Sequence, residues 1–324
     1  MTLQNPLLAP RAEVLIYPRD GGTVEDYPLL TQPDAFKHWF DREGYIVVRN
    51  GMPVALCKSA VQAFLHEVLQ DRTGLFERHV SGKFEPHTYT DAGCMKYPIM
   101  NLQDLPDKKY PQFKKLSLDL LTQPSIQRAI SILFGEPGRV VHTMYFDGNQ
   151  TTWAHRDGHY IDARESGKMV GVWLAAEDIH LTAGRFFVVP RSHTTEVAGE
   201  QGDPNAPAYK EKMAGFVRNG PLDCVSPVLK RGDFILWSSM TIHGSLPTLD
   251  TRFSRRSFTA HYVPHSHAFQ WKVREHGSSR CTLVNNVEVV SHSDDATLLK
   301  RLRNAVRAEA PRLYAVAQRV KNRR

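Results

Sequence analysis

Apolar positions early in the chain recur with helical spacing, and later they shorten into strand-sized runs. Phe36, Trp39 and Phe40 fall at i, i+3 and i+4 behind Thr31-Gln32-Pro33-Asp34, which predicts a helix opening on Pro33 and ending near Gly44. Tyr45-Ile46-Val47-Val48 is rich in β-branched residues and reads as a strand closed by Asn50-Gly51. Ala60, Phe64 and Val68 mark one side of a helix over 55–69, and 124–135 is a helix bracketed by Pro124 and Gly135. From Val140 onward the period changes. Strands are predicted at 140–146, 169–174, 185–189, 234–237 and 257–263, with no helical segment between them. That density argues for a sandwich or barrel-like β core.

Other stretches carry no sustained period. Residues 1–30 hold Pro6, Pro10, Pro18 and Pro28 and read as an extended arm. Residues 71–115 mix glycine, proline, aromatics and charges, and a long irregular segment in a compact domain reads as a lid or substrate loop. Residues 201–212 read as a surface loop, and with the rest of 201–220 they are expected to frame the pocket mouth beside 71–115. At the other end, Ser293-Asp294-Asp295 is a good helix cap. Behind it Leu298, Leu299, Leu302 and Val306 form an apolar stripe, divided by Pro311 and continued by Leu313, Val316 and Val320. The chain therefore divides into an arm over 1–30, one domain over 31–292 with its β core at about 140–264, and a helical tail over 293–324.

Charge sharpens the picture of the tail. Residues 296–324 hold nine lysines or arginines and one acid, so the formal net charge of +7 sits there and the body is near neutral. A basic amphipathic helix is suited to an anionic membrane surface, at ~1 kcal/mol per basic residue near the lipid. Tyr314 is the one aromatic among those basic residues, so no stacking platform for bases forms and no nucleic-acid partner is expected. No run approaches the ~20 apolar residues of a spanning helix, and the N-terminus lacks the pattern of a secretory signal. The four cysteines are scattered and read as isolated thiols in a reducing compartment. The expected location is cytoplasmic, with contact at the inner face of the membrane through the tail. Nothing in the pattern speaks to oligomeric state.

The candidate chemistry lies in Thr152-Trp153-Ala154-His155-Arg156-Asp157-Gly158-His159-Tyr160. On an extended segment, residues two apart share a face, so His155 and Asp157 can reach one ion while Arg156 points away. His243, just past the turn-and-strand unit Arg231 to Trp237, supplies a third ligand. Two imidazoles and one carboxylate form the facial triad that holds non-haem Fe(II). Further on, Arg255-Arg256-Ser257 offers a guanidinium for a carboxylate, which arginine grips through two parallel hydrogen bonds where lysine cannot. Arg255 and Ser257 share a strand face. Arg252 and Arg256 are rivals, and parity turns Arg256 away.

Together these stretches resemble the Fe(II)/2-oxoglutarate dioxygenases, in their phytanoyl-CoA dioxygenase-like branch. The resemblance also runs through Glu43 to Val48, Gly171 to Asp178, Ala183 to His193 and Arg255 to Tyr262, covering roughly residues 34–264. It departs from the family at Pro190-Arg191-Ser192-His193, where the branch usually has Pro-Gly-Ser-His, which bears on the shape of that loop and leaves the metal ligands intact. The resemblance implies a mostly β protein with flanking helices and a double-stranded β-helix, or jelly-roll, core of the cupin type. It implies Fe(II) held by His155, Asp157 and His243, with 2-oxoglutarate as co-substrate at Arg255 and Ser257 and O2 as oxidant. Its chemistry is decarboxylation of 2-oxoglutarate to succinate coupled to hydroxylation of an unactivated carbon. Relatives with Gly or Ala at the carboxylate position leave room for halide, so Asp157 implies hydroxylation and no halogenase activity.

For the substrate, Lys83, Lys96, Lys108, Lys109, Arg164 and Lys168 point to an anion, with His159, Tyr160 and Arg164 as candidate contacts. The chain is similar in outline to bacterial enzymes of this branch that hydroxylate the 3-deoxy-octulosonate (Kdo) sugar of lipopolysaccharide. Such a membrane-bound glycolipid would satisfy both the charges and the tail. A small soluble natural product or carboxylic acid is the rival substrate, and a non-enzymatic cupin-like binding protein is the rival class.

Overall fold

The computed structural model describes residues 32–78, 83–149, 152–273, 280–292 and 298–321. The arm over 1–30 and the cap at 293–295 lie outside these residues. Helix α1 (Pro33–Glu43) buries Phe36, Trp39 and Phe40, the three positions its spacing picks out. It ends where Gly44 turns left-handed at φ 77°, a conformation that costs a residue without Cβ nothing. β1 (Tyr45–Val48) follows, then α2 (Val54–Ala63), which continues as one π-helical turn through Phe64–Val68.

The segment over 71–115 is less irregular than its composition implies. It holds a hairpin of β2 (Leu75–Glu77) and β3 (Phe84–Pro86), a short β4 (Ile99–Met100), and the start of α3 (Pro111–Leu121). After α3 come α4 (Pro124–Phe134) and β5 (Gly138–Phe146), then β6 (Ile161–Ala163), β7 (Val170–Ala175) and β8 (Phe186–Val188). The chain next forms α5 (Pro207–Asn219), which corrects the surface loop expected there. Its apolar residues are sparse, but Tyr209, Met213 and Val217 fall at helical spacing and are buried. β9 (Phe234–Ser238), β10 (His243–Ser245), β11 (Ser257–Pro264) and β12 (Phe269–Trp271) come next. Beyond the last strand expected from sequence, β13 (Arg280–Val284) and β14 (Val287–Ser291) form a hairpin. The tail forms α6 (Leu298–Glu309) and α7 (Pro311–Lys321).

The strands build two layers. The larger is an eight-stranded sheet in the order β1-β9-β7-β11-β5-β14-β13, with β4 also on β5. Its even-numbered positions on β7, β9 and β11, such as Val172, Leu236, Phe258 and Tyr262, pack with Phe36, Phe64, Phe113 and Ile130 of the helices. The odd-numbered positions face the other way, where Trp173, Ile235 and Trp237 meet Phe186 and Val188 of the second layer. That layer is the β8–β10 pair, extended by bridges from His155 to His243 and from Val188 to Val225. This is the mostly β, helix-flanked jelly roll that the motifs imply, although the large sheet takes β1, β4, β13 and β14 from outside 140–264. His142, Met144 and Phe146 of β5 face the space between the layers, and a register shift between His261 and Tyr262 puts Val140, two residues from His142, on the helix side.

Candidate active site

The space between the layers is a cavity of about 960 Å³, lined mainly by apolar and aromatic side chains. That size and lining suit a small-molecule site. His155, Asp157 and His243 share it, with one donor atom of each lying within 4.8 Å of the others. Backbone pairing brings the two distant histidines together: the N–H of His155 donates to the His243 carbonyl at 3.0 Å, and the reverse bond has the same length. Asp157 follows where the extended segment enters a 3-10 turn over Asp157–His159. As expected, Arg156 points away, to Glu200 at 3.2 Å and the Thr195 carbonyl.

Neighbouring groups prepare each donor atom. His155 Nδ1 donates to the Trp153 carbonyl at 2.8 Å, and His243 Nδ1 donates to the Thr241 carbonyl at 3.0 Å. Both bonds put the proton on Nδ1 and leave the Nε2 lone pairs directed at Asp157 Oδ1, 3.5 Å from each. Burial pushes the His243 imidazole down to about 4, so it stays in its neutral, ligand form. Burial alone would raise the Asp157 carboxyl. The surrounding imidazoles of His243 and His261, with the hydrogen bond from His261, outweigh it and hold the group well below the usual carboxylate range. Oδ2 is occupied by Trp237 Nε1–H at 2.8 Å and His261 Nε2 at 3.1 Å, so Oδ1 is the oxygen left for an ion. This N,N,O donor face fits divalent iron, and His155, Asp157 and His243 are the residues that would hold it.

A second feature fits a carboxylate. Arg255 is buried on the cavity wall, stacked near Phe146 and Trp173, and among the described residues its guanidinium makes one hydrogen bond, from Nη1 to the Gly184 carbonyl at 3.2 Å. Burial lowers its guanidinium to about 9, and no acid among the described residues stands beside it. Arg255 Nε, Trp173 Nε1 and Thr259 Oγ1 are all buried without hydrogen-bond partners among the described residues, and all three residues line the cavity. Unsatisfied buried donors are costly, and an oxyanion would satisfy them. The rivals are already committed. Arg256 pairs with Asp147 at 2.9 Å and Glu177 at 3.4 Å, and Arg252 lies at the surface on Asp250.

The remaining site residues fall into place unevenly. Ser257 shares the face of Arg255 but does not line the cavity, because its hydroxyl donates back to the Arg255 carbonyl at 3.1 Å. Thr259, two residues further along the same face, is the hydroxyl that the cavity meets. Tyr160 lines the cavity, with its own hydroxyl donated to the Pro204 carbonyl. His159 instead turns to the Tyr209 hydroxyl at 2.8 Å, and Arg164 is exposed; neither lines the cavity. Of the lysines assigned to an anion, Lys109 is taken up by Asp71 and Lys168 by Glu165. Residues 71–115 do supply cavity wall, through Glu77, Arg78, Glu85, His87, Tyr97 and Met100.

Comparison with known proteins agrees with this geometry. The phytanoyl-CoA dioxygenase (PhyH) family matches residues 40–257. The phytanoyl-CoA dioxygenase domain-containing protein 1 of Bos taurus is 30% identical over 114 residues, which cover 34% of this chain and 38% of that protein. The chain thus matches well under two thirds of that relative's length. The epimerase SnoN, in complex with Fe3+, alpha ketoglutarate and nogalamycin RO, superposes with a TM-score of 0.56 at 16% identity, covering 80% of this chain and 98% of SnoN. EctD from S. alaskensis, with 2-oxoglutarate and 5-hydroxyectoine, gives 0.53 at 18% identity, covering 88% and 93%. At these identities the two structures attest the shared fold.

Proposed function

The chain belongs to the phytanoyl-CoA dioxygenase family of iron- and 2-oxoglutarate-dependent oxygenases, and we propose that it hydroxylates an unactivated C–H bond of an anionic substrate. The observation that carries this is one cavity that joins a prepared N,N,O ligand face to a buried arginine with no acid beside it among the described residues. When bound, iron with 2-oxoglutarate and O2 supplies the oxidation, releasing succinate and CO2. The chain's own residues position and shield. Trp237 and His261 hold the Asp157 carboxylate by one oxygen. Arg255, with Thr259 and Trp173, would take the distal carboxylate of the co-substrate, and the aromatic walls exclude water.

Two substrate sources fit an anion in a cavity of this size: the Kdo sugar of a membrane glycolipid, and a small soluble carboxylic acid or natural product. The glycolipid reading is supported by the tail. Leu299, Leu302, Leu313 and Val316 are exposed on two basic helices, so their apolar stripe is not used up in packing on the body. An exposed apolar stripe on a basic helix suits peripheral binding to an anionic bilayer. Among the described residues no helix is long and apolar enough to cross a membrane. The test of the activity is Fe(II)-dependent conversion of 2-oxoglutarate to succinate, with an acceptor gaining one oxygen, by the wild-type chain and not by His155→Ala. A cupin-like binding protein would form no succinate.

A further inference from the structure

The β2–β3 hairpin carries polar groups that the chemistry above does not use. Arg78 and His87 flank its strands, line the cavity, and are each only 9% exposed. The Arg78 guanidinium lies over the ring of Tyr97 at 4.4 Å. Its Nε faces Glu85 at 3.3 Å, its Nη2 donates to the Pro86 carbonyl, and its Nη1 is buried with no hydrogen-bond partner among the described residues. The His87 ring packs on Phe76 at 4.3 Å, and neither of its nitrogens has a hydrogen-bond partner among the described residues. The nearby acids do not close this gap. Glu85 serves Nε and is half exposed, while Glu77 accepts from Asn101 Nδ2 at 3.2 Å. Burial, reinforced by the Arg78 charge, lowers the His87 imidazole to about 3, so the ring is neutral and offers one donor and one acceptor.

We propose that Arg78 and His87 form a second oxyanion-recognition point in the cavity, distinct from Arg255, that grips an acidic group of the primary substrate. The proposal rests on the reading that Arg255 is occupied by the co-substrate. Two buried cationic or donor groups on separate walls then sort the two acids that must share one cavity. Arg255 on the large sheet takes the distal carboxylate of 2-oxoglutarate, and Arg78 on the hairpin takes the molecule to be hydroxylated. Neutral His87 adds a contact to a hydroxyl or carbonyl next to that acid. Arginine matches the planar geometry of a carboxylate or a face of a phosphate, which lysine does not.

The test is calorimetric titration of the full chain loaded with Ni(II) and 2-oxoglutarate, using 3-bromobenzoate and inorganic phosphate as probes of the two oxyanion chemistries. At least one is expected to bind. Arg78→Gln should weaken it tenfold or more, with Arg78→Lys intermediate and 2-oxoglutarate affinity unchanged. Arg255→Gln should do the reverse. The bromine anomalous signal, or phosphate density, should lie beside Arg78 and His87. The proposal is overturned if neither probe binds, if Arg78→Gln binds as well as wild type, or if the probe is found only on exposed lysines. Should Arg78→Gln melt early, His87→Gln and Arg78→Lys carry the same comparison. Failure of the chain to bind Ni(II) or 2-oxoglutarate counts against the proposed activity instead. The probes are then titrated without them, and the same outcomes decide.

Discussion

Trp237 Nε1–H donates to Asp157 Oδ2 at 2.8 Å, on the side of the carboxylate away from the ligand imidazoles. With His261 on the same oxygen, the bond turns a two-oxygen group into a one-oxygen ligand of fixed direction. Residues that orient ligands in this way alter metal affinity about 10–100-fold. Trp237→Phe keeps an aromatic ring but removes the N–H together with the fused five-membered ring. It is expected to weaken Fe(II) binding within that range, measured by equilibrium titration, with some loss of stability from the space the smaller ring leaves.

Gly171 explains how Trp237 reaches that position. A Cβ at 171 would sit 2.3 Å from atoms of the Trp237 ring, far inside contact distance. The indole lies flat on the bare backbone of β7, across the strand pair that joins the two residues. Gly171→Ala is expected to displace the indole, lower Fe(II) affinity at least as much as Trp237→Phe, and also lower stability.

The two adjacent arginines should fail in different ways. Arg255→Gln removes the guanidinium facing the cavity and is expected to raise the KM for 2-oxoglutarate tenfold or more with Fe(II) affinity preserved. Arg256→Gln instead leaves the buried Asp147 without its partner. Breaking such a pair costs about 3 kcal/mol, so urea unfolding should move to lower concentration, with the KM for 2-oxoglutarate unchanged in the folded fraction.

His87 imposes an acid dependence on stability. Its folded pKa, about 3, lies below the ordinary histidine value, so the unfolded chain binds the extra proton first. Its contribution is fully present above about pH 6.5 and is lost as pH falls from there toward 3. Between pH 7 and pH 5 that loss is about 2 kcal/mol. His87→Phe is expected to flatten this part of the stability–pH curve, read from urea midpoints at the two pH values. An unchanged slope would show that His87 is not held neutral by burial.

The tail is expected to bind lipid without building the site. Arg307 stacks on Phe84 at 3.5 Å and Tyr314 is buried, so α6 and α7 are docked on the body while their leucines stay exposed. Flotation with vesicles rich in anionic lipid should recover the full chain, and a chain ending at residue 292 should stay behind. Recovery of both, or of neither, contradicts a role for the tail at a membrane.

What could be read from the residues followed local spacing. Phe36, Trp39 and Phe40 reveal their helix because its buried face is continuous. His155 and Asp157 reveal a shared ligand face because two alternate residues on an extended segment share a side. Arg255 could be preferred to Arg256 by parity alone, and the Arg256–Asp147 pair shows where the other charge goes. Contacts made across the fold left no such mark. Thr259, rather than Ser257, supplies the cavity hydroxyl because the bond from Ser257 to the Arg255 carbonyl is decided by the start of β11. Alternation along β11 was the available signal, since it carries 255 on to Thr259 and His261. His261 and Trp237 act on Asp157 from positions 104 and 80 residues away, a pairing set by sheet order. Helix α5 was hidden by its charges and by the prolines at and just before its start, with Tyr209, Met213 and Val217 too sparse to stand out. Arg78 and His87 lay in the least periodic stretch, where the hairpin that presents them has strands of three residues each.

The central claim, that one ligand face and one buried arginine together make an iron and 2-oxoglutarate site, is tested most directly by anaerobic calorimetry. The chain is titrated first with Fe(II) and then with 2-oxoglutarate. The expected result is one Fe(II) per chain, 2-oxoglutarate binding that requires the metal, loss of both in His155→Ala, and loss of 2-oxoglutarate alone in Arg255→Gln. Unimpaired Fe(II) binding in His155→Ala, or unimpaired 2-oxoglutarate binding in Arg255→Gln, would contradict it.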